Sequence, residues 1–302
     1  MVTLSGVITR VEEVSAGLTP ARLRRLPLPR SVLMCPPTYF DVVDVKNVFM
    51  EGHLGKVNYE EAVEEWSELK SSYERKGITV DEIDPLEGCE DMVFCANPVF
   101  PGISSDGQRK CVLSKMNHPS RQREVAAVAT WFKRKGYEIV DLGQKGYAFE
   151  GGGDAIWHPG LGLIWGGHGQ RTESGVYPLL AGVFDFPVVT LRLCDARFYH
   201  LDTCFCPIDQ KTVMFYPPAF TEEGVSLIRR FFPRVVIVDE DEAVNKLACN
   251  AAALGGKYIF IQRGAIGVSG CLRELGYEVI EVETEEFMKS GGSVFCMKSA
   301  VF

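Results

Sequence analysis

From Val32 to the C-terminus, short apolar runs alternate with amphipathic segments, and few folds accommodate that alternation. The strand-like runs include Val32–Met34, Asp91–Phe94, Lys110–Ser114, Glu138–Asp141, Gly162–Gly166 and Val188–Arg192. Further along come Thr212–Tyr216, Arg234–Val238, Tyr258–Gln262, Glu278–Val282 and Val294–Met297. Runs this short, bounded by turn residues, read as buried strands. Between them, Tyr59–Lys76 sets Ala62, Trp66, Leu69 and Tyr73 on one helical face. Ser120–Lys135 does the same with Val125, Val128, Ala129 and Phe132. Helices are also predicted over 221–232, 241–253, 265–275 and 284–290. Gly77, Gly136 and Gly276 follow three of these segments as left-handed caps. The unit of helix, glycine cap, strand, polar turn and strand recurs at roughly fifty-residue spacing, which suggests a closed repeat architecture. We therefore expect one α/β domain over 31–302. Residues 1–30 read as an N-terminal extension, with Arg22, Arg24, Arg25 and Arg30 interrupted by Pro20, Pro27 and Pro29.

A chain of 302 residues buries about three quarters of its unfolded surface, so its core needs no disulfide or metal. No apolar run approaches the ~18 residues of a membrane helix. The first twenty residues carry acids and lack a signal-peptide apolar region, so the ten cysteines are expected as reduced thiols of a cytoplasmic protein. Lys and Arg number 32 against 40 Asp and Glu, a net charge of −8. That charge argues against nucleic acid or an anionic membrane as partner and suits a cationic small molecule.

Polar and glycine-rich residues gather where strands should end. His200 and Asp202, two residues apart, are expected on one face of a strand, with Cys204 and Cys206 following in the same alternation. An imidazole and a carboxylate placed together can bind and protonate a polar ligand. Zinc pairs use a Cys-x2-Cys turn, which this spacing lacks, so no metal is expected. Glu150 precedes Gly151-Gly152-Gly153-Asp154, a run matching neither a dinucleotide-binding nor a Walker pattern. Its glycines are expected to make a sharp turn that points Glu150 and Asp154 inward. Gly291-Gly292 precede Cys296 in a strand pattern. Taken alone, that cysteine reads as a buried structural thiol. His53, His158 and His168 read as structural.

Five stretches together resemble the guanidine-modifying, or pentein, superfamily: Met34–Val42, Asp91–Asn97, Phe149–Ala155, Phe198–Pro207 and Cys249-Asn250-Ala251. Their order is the family's, and the resemblance covers about Val32 to Phe302. Its nearest type is the arginine dihydrolases, with arginine deiminases and dimethylargininases as relatives. The fold this implies is a five-bladed α/β propeller of ββαβ-like units around a central active site. The resemblance implies Cys296 as nucleophile, His200 as general acid/base and Glu150 as its acid. It implies Asp202 as a guanidinium carboxylate, and Arg121 and Arg171 as binders of the substrate α-carboxylate. Asn97 stands where deiminases have Asp and dihydrolases Asn. Asp91, Asn47 and Asp154 are implied as further substrate-binding positions. Three segments depart from the dihydrolase pattern: Asn47-Val48-Phe49-Met50, Ala96-Asn97-Pro98-Val99 and Gly151-Gly152-Gly153-Asp154.

The implied activity is cysteine-dependent hydrolysis of the arginine guanidino group. It passes through a covalent S-amidino intermediate and gives ornithine, ammonia and carbon dioxide with no cofactor. A deiminase or dimethylargininase would stop at citrulline, and an amidinotransferase would use an amine in place of water. A non-catalytic pentein binding protein would be free to lose these side chains. The expected partner is arginine, with a homo-oligomer as a further expectation.

Overall fold

The computed structural model describes residues 6–14, 18–143 and 146–302. In chain order, β1 (Val7–Ile8) precedes β2 (Ser31–Met34), α1 (Tyr59–Arg75) and β3 (Thr79–Glu82). Next come β4 (Val99–Ile103), β5 (Arg109–Leu113), α2 (Gln122–Arg134) and β6 (Glu138–Val140). The one-turn α3 (Gly151–Asp154) leads into β7 (Ala155–Trp157), β8 (Ile164–His168), α4 (Tyr177–Phe184) and β9 (Val188–Arg192). Then follow β10 (Phe205–Pro207), β11 (Thr212–Phe215), α5 (Glu222–Phe231) and β12 (Arg234–Ile237). The last blade holds α6 (Glu240–Asn245), β13 (Ala252–Leu254), β14 (Tyr258–Gln262), α7 (Ile266–Glu274) and β15 (Glu278–Val282). The chain closes with α8 (Glu285–Met288) and β16 (Ser299–Val301).

Five sheets share one plan. A hairpin pairs two strands antiparallel, and a helix returns the chain to a third strand parallel to the second. A parallel return requires such a crossover, which is why each blade is ββαβ. The first blade borrows its first strand, an edge strand that packs against β4 of the next blade, from the other end of the chain: β16 pairs antiparallel with β2, Ala300 opposite Val32. The result is the five-bladed α/β propeller that the resemblance implies, in keeping with the closed repeat architecture that the pattern suggests. β1 adds parallel to β9, Val7 opposite Val188, and Ile8, Leu18 and Leu23 are buried in the largest apolar cluster. Part of the N-terminal lead therefore packs on the third blade. Its residues 1–5 and 15–17 lie outside the described residues.

Local chemistry explains the elements that the pattern marks. In α1, Asn58 caps the first turn by accepting from the amides of Glu60 and Glu61, and Ala62, Trp66, Leu69 and Tyr73 are the buried face. Gly77, Gly136 and Gly276 take φ of 74°, 83° and 88°, the left-handed backbone that ends a helix. His158 stacks on Phe232 with ring centroids 4.6 Å apart and accepts from Trp165 Nε1 at 3.2 Å. Burial pushes its pKa down to about 4, so it is a neutral, structural imidazole.

Elsewhere the fold departs from the pattern. Asp91–Phe94 and Val294–Met297 are not strands. The first is a chain of turns, with the amide of Met92 donating to Cys89 O at 3.1 Å and that of Phe94 to Asp91 O at 2.9 Å. The second is a single turn, Met297 N to Ser293 O at 3.2 Å, and the strand begins at Ser299. Both runs are apolar because they are buried beneath the site, which periodicity cannot distinguish from a strand. The helix expected over 241–253 stops at Asn245, and Leu247 there adopts a φ of +42°. α4 and the strands β4, β7 and β13 lack a signal in the pattern, while β3 follows the Gly77 cap as expected and β10 takes up only the end of the strand expected over 200–206.

Candidate active site

Loops from all five blades meet at one place. Cys296 lies in the turn between α8 and β16. His200 precedes a 3-10 turn, Leu201–Thr203, where a strand carrying His200 and Asp202 on one face was expected. Thr203 Oγ1 donates to His200 O at 2.6 Å, and Leu201 N donates to Asp154 Oδ1 at 3.0 Å, which together close the turn. The tighter backbone sends the two side chains to different partners. Cys204 and Cys206 donate instead to the carbonyls of Leu201 and Ala251, at 3.5 and 3.3 Å. Among the described residues, no three His, Cys, Asp or Glu side chains are arranged to hold a metal ion.

The thiol of Cys296 donates to Asp202 Oδ2 at 3.1 Å and accepts from Asn250 Nδ2 at 3.2 Å. Asp202 is fully buried, and its other oxygen, Oδ1, has no partner. A buried carboxylate oxygen left open is a ready acceptor for an N–H of a bound ligand. Burial raises the Asp202 pKa to about 7. Burial, then the neighbouring Asp202, push the Cys296 thiol well above its ordinary value. Cys296 is therefore held as a protonated thiol.

Asn250 has no assigned role in the sequence reading, although it lies within one of the matching stretches. Its Oδ1 accepts from the amides of Ser293 at 2.9 Å and Cys296 at 3.2 Å. Its Nδ2 also donates to Asp202 O at 3.1 Å. One amide side chain thus ties the Cys296 turn to the Asp202 turn. A lone Asn between two small residues has no pattern of its own, so only the fold exposes this role.

On the other side, His200 Nε2 lies 2.6 Å from Glu150 Oε2. Arg171 Nη1 lies 3.3 Å from the same oxygen, and the amide of Asn117 donates to Oε1 at 2.9 Å. Burial opposes ionisation of Glu150, yet His200, Arg171 and Arg121 hold its carboxyl well below the usual range. His200 Nδ1 lies 3.5 Å from Asn97 Nδ2. The glycine run serves this contact: a Cβ on Gly153 would stand 2.5 Å from Asn97 Nδ2 and 3.0 Å from His200 Nδ1. The run forms α3 and turns both acids inward, Glu150 to His200 and Asp154 to the Leu201 amide. Burial raises the Asp154 pKa to about 6, and its place is that of a support beneath the Leu201–Thr203 turn.

The remaining positions form a charged rim. Arg121 is buried and forks onto Glu124, Nε to Oε1 at 3.1 Å and Nη2 to Oε2 at 2.8 Å, while Nη1 donates to Asn97 Oδ1 at 3.0 Å. Most of its five donors are therefore engaged within the protein, and it orients Asn97. Arg171 also donates through Nη2 to Lys46 O at 2.6 Å, and its guanidinium lies over Tyr199, 5.1 Å from the ring centroid. Asp91 pairs with Lys46 Nζ at 3.0 Å and accepts from Ser290 Oγ at 3.1 Å. Lys46 also pairs with Asp44 and Glu90. Asn47 caps the 3-10 turn Val48–Met50 through Phe49 N at 2.9 Å and donates to Ser290 O at 3.0 Å. The Lys46–Asn47 loop is thus latched to Arg171, Asp91 and the Ser290 turn.

Residues 37–302 match the family described as N,N dimethylarginine dimethylhydrolase, eukaryotic. The bifunctional arginine dihydrolase/ornithine cyclodeaminase ArgZ of Synechocystis is 38% identical over 268 residues, 88% of this chain and 37% of that protein. The chain therefore spans little more than a third of that bifunctional relative. The N(G),N(G)-dimethylarginine dimethylaminohydrolase of Mycobacterium tuberculosis is 34% identical over 94% of this chain and 89% of its own length. Among solved structures, the N-terminal domain of ArgZ bound to product superposes with a TM-score of 0.84 at 38% identity, covering 90% of this chain and 97% of that one.

Proposed function

Because the chain belongs to the N,N-dimethylarginine dimethylhydrolase family, we propose that it hydrolyses the guanidino group of free arginine through Cys296. The arrangement supporting this is the Cys296–Asp202 pair: a buried thiol beside a carboxylate that keeps one oxygen open. A guanidinium is planar and cationic, and a carboxylate oxygen fixes one of its N–H groups and so orients the carbon. Its positive charge also offsets the burial that keeps Cys296 protonated, so the thiolate forms when substrate arrives.

In this reading Cys296 attacks the guanidino carbon and forms a C–S bond. His200 protonates the departing nitrogen, which leaves as ammonia, and an S-amidino intermediate remains. His200 then takes a proton from the water that displaces the sulfur, and citrulline results. Glu150 orients His200 and stabilises its charged form. A second cycle on the ureido carbon releases another ammonia and a carbamate, which decomposes to ornithine and carbon dioxide. Asn97 favours that second cycle: its amide can donate to a neutral ureido oxygen, which a carboxylate cannot. ArgZ, a named arginine dihydrolase, points the same way. A methylated arginine is the second reading, because the family description and the mycobacterial relative both name it.

Separating the products of arginine and of dimethylarginine tests both. Ornithine with two equivalents of ammonia from arginine supports the dihydrolase. Citrulline as the sole end product from arginine refutes the second cycle, and turnover of dimethylarginine alone moves the substrate to the methylated class.

A further inference from the structure

We propose that a second cavity, beneath the active site, binds a short aliphatic monocarboxylate with the Lys298 ammonium as its anchor. The cavity has a volume of about 120 Å³. A void of roughly 150 Å³ takes up benzene, so five or six carbon-sized atoms fit here. Its walls include Phe100, Trp157, Leu161, Leu254 and the segment Leu26–Pro29, where Leu28 is 37% exposed. Lys298, on its floor, is only 5% exposed. The ammonium lies 3.7 Å from the centroid of the Phe295 ring and forms no ion pair with a carboxylate among the described residues. A ring face beside an ammonium does not replace a hydrogen-bond acceptor. Burial lowers its pKa to about 8, leaving it mainly charged at neutral pH.

The chemistry of the cavity selects the ligand. One ammonium balances one carboxylate. A phosphate would leave oxygens unpaired against apolar walls and would add negative charge near Asp202, which shares the Lys298 field. Neighbouring residues divide between the two cavities: Asn97, Asn250 and Cys296 belong to the active site, while Ala96, Ala251 and Phe295 line this one. The occupant would sit beside the turn that carries Cys296, and Lys46 and Asn47 are not among the residues lining its cavity.

Titration calorimetry and saturation-transfer NMR with butanoate, butanamide and inorganic phosphate test this. Binding is read directly, so the result stands apart from whether arginine is the substrate. Butanoate is expected to bind at about 1 mM, with butanamide and phosphate at least about tenfold weaker. Butanoate binding should persist when the Cys296→Ser protein is saturated with arginine, and Lys298→Met should weaken it at least about tenfold. Ala300→Phe, which fills the cavity and keeps the charge, should abolish it; this variant decides the matter if Lys298→Met does not fold. No binding by ~20 mM, equal binding of the amide, displacement by arginine, or indifference to both variants would each overturn the proposal.

Discussion

Replacing Asn250 tests whether a buried amide holds the nucleophile in place. Asn250 is 1% exposed and makes four hydrogen bonds: two accepted from backbone amides, one donated to a carbonyl and one to the thiol. At a net contribution of about 1 kcal/mol each, Asn250→Ala should destabilise the protein by about 4 kcal/mol. For a chain of 302 residues that corresponds to a Tm roughly 6 °C lower. Asn250→Asp keeps both acceptor contacts and loses both donors, so its cost from hydrogen bonds is nearer 2 kcal/mol. Its carboxylate, however, sits beside Asp202 and the thiol, and each further unit on the thiol pKa costs about tenfold in thiolate. The Asp variant should therefore be the more stable of the two and the slower in kcat. Calorimetric melting gives the first comparison, and ammonia release from arginine well below both melting temperatures gives the second. A Tm within ~2 °C of wild type for the Ala variant, below the ~4 kcal/mol expectation, would refute the account of the turn. An Asp variant at least as fast as the Ala variant would refute the electrostatic part.

Cys296→Ser should abolish turnover while leaving Tm within ~2 °C, since the change is nearly isosteric; a wild-type rate would place the nucleophile at another cysteine. Glu150→Gln should lower kcat by about two to four orders of magnitude with little change in KM, because it removes the charge that stabilises protonated His200 at 2.6 Å; an unchanged kcat would remove Glu150 from the proton path. Asn97→Asp should shift the product from ornithine towards citrulline, and undiminished ornithine would refute the role given to its amide. Burial raises the Asp202 pKa to about 7, so the carboxylate that accepts the guanidinium is protonated below that pH. The kcat/KM profile should accordingly rise through about pH 7 and fall on acidification, and a profile flat down to pH ~5 would contradict it.

What the sequence determines by itself about this protein is local or motif-borne. Helix faces and the glycine caps at Gly77, Gly136 and Gly276 depend on contacts within about four residues, and so they are legible in any window of that length. β14 and β15 coincide with the predicted runs Tyr258–Gln262 and Glu278–Val282, the first buried over four of its five residues and the second marked by the apolar Val279, Ile280 and Val282. Cys296, His200, Glu150 and Asp202 were legible only as a group, through motifs that resemble a family. Periodicity misled where burial served the site and not a sheet, at Asp91–Phe94 and Val294–Met297. Tertiary structure alone decided which groups pair. Cys296 meets a carboxylate 94 residues away and an amide 46 residues away. Arg121 turns inward to Glu124 and Asn97, and Lys46 takes Asp91. Among the described residues Lys298 has no carboxylate partner; its ammonium lies over the Phe295 ring and it lines an apolar cavity. A hydrogen bond or ion pair has no sequence period, and its partner is set by five blades delivering their loops to one axis.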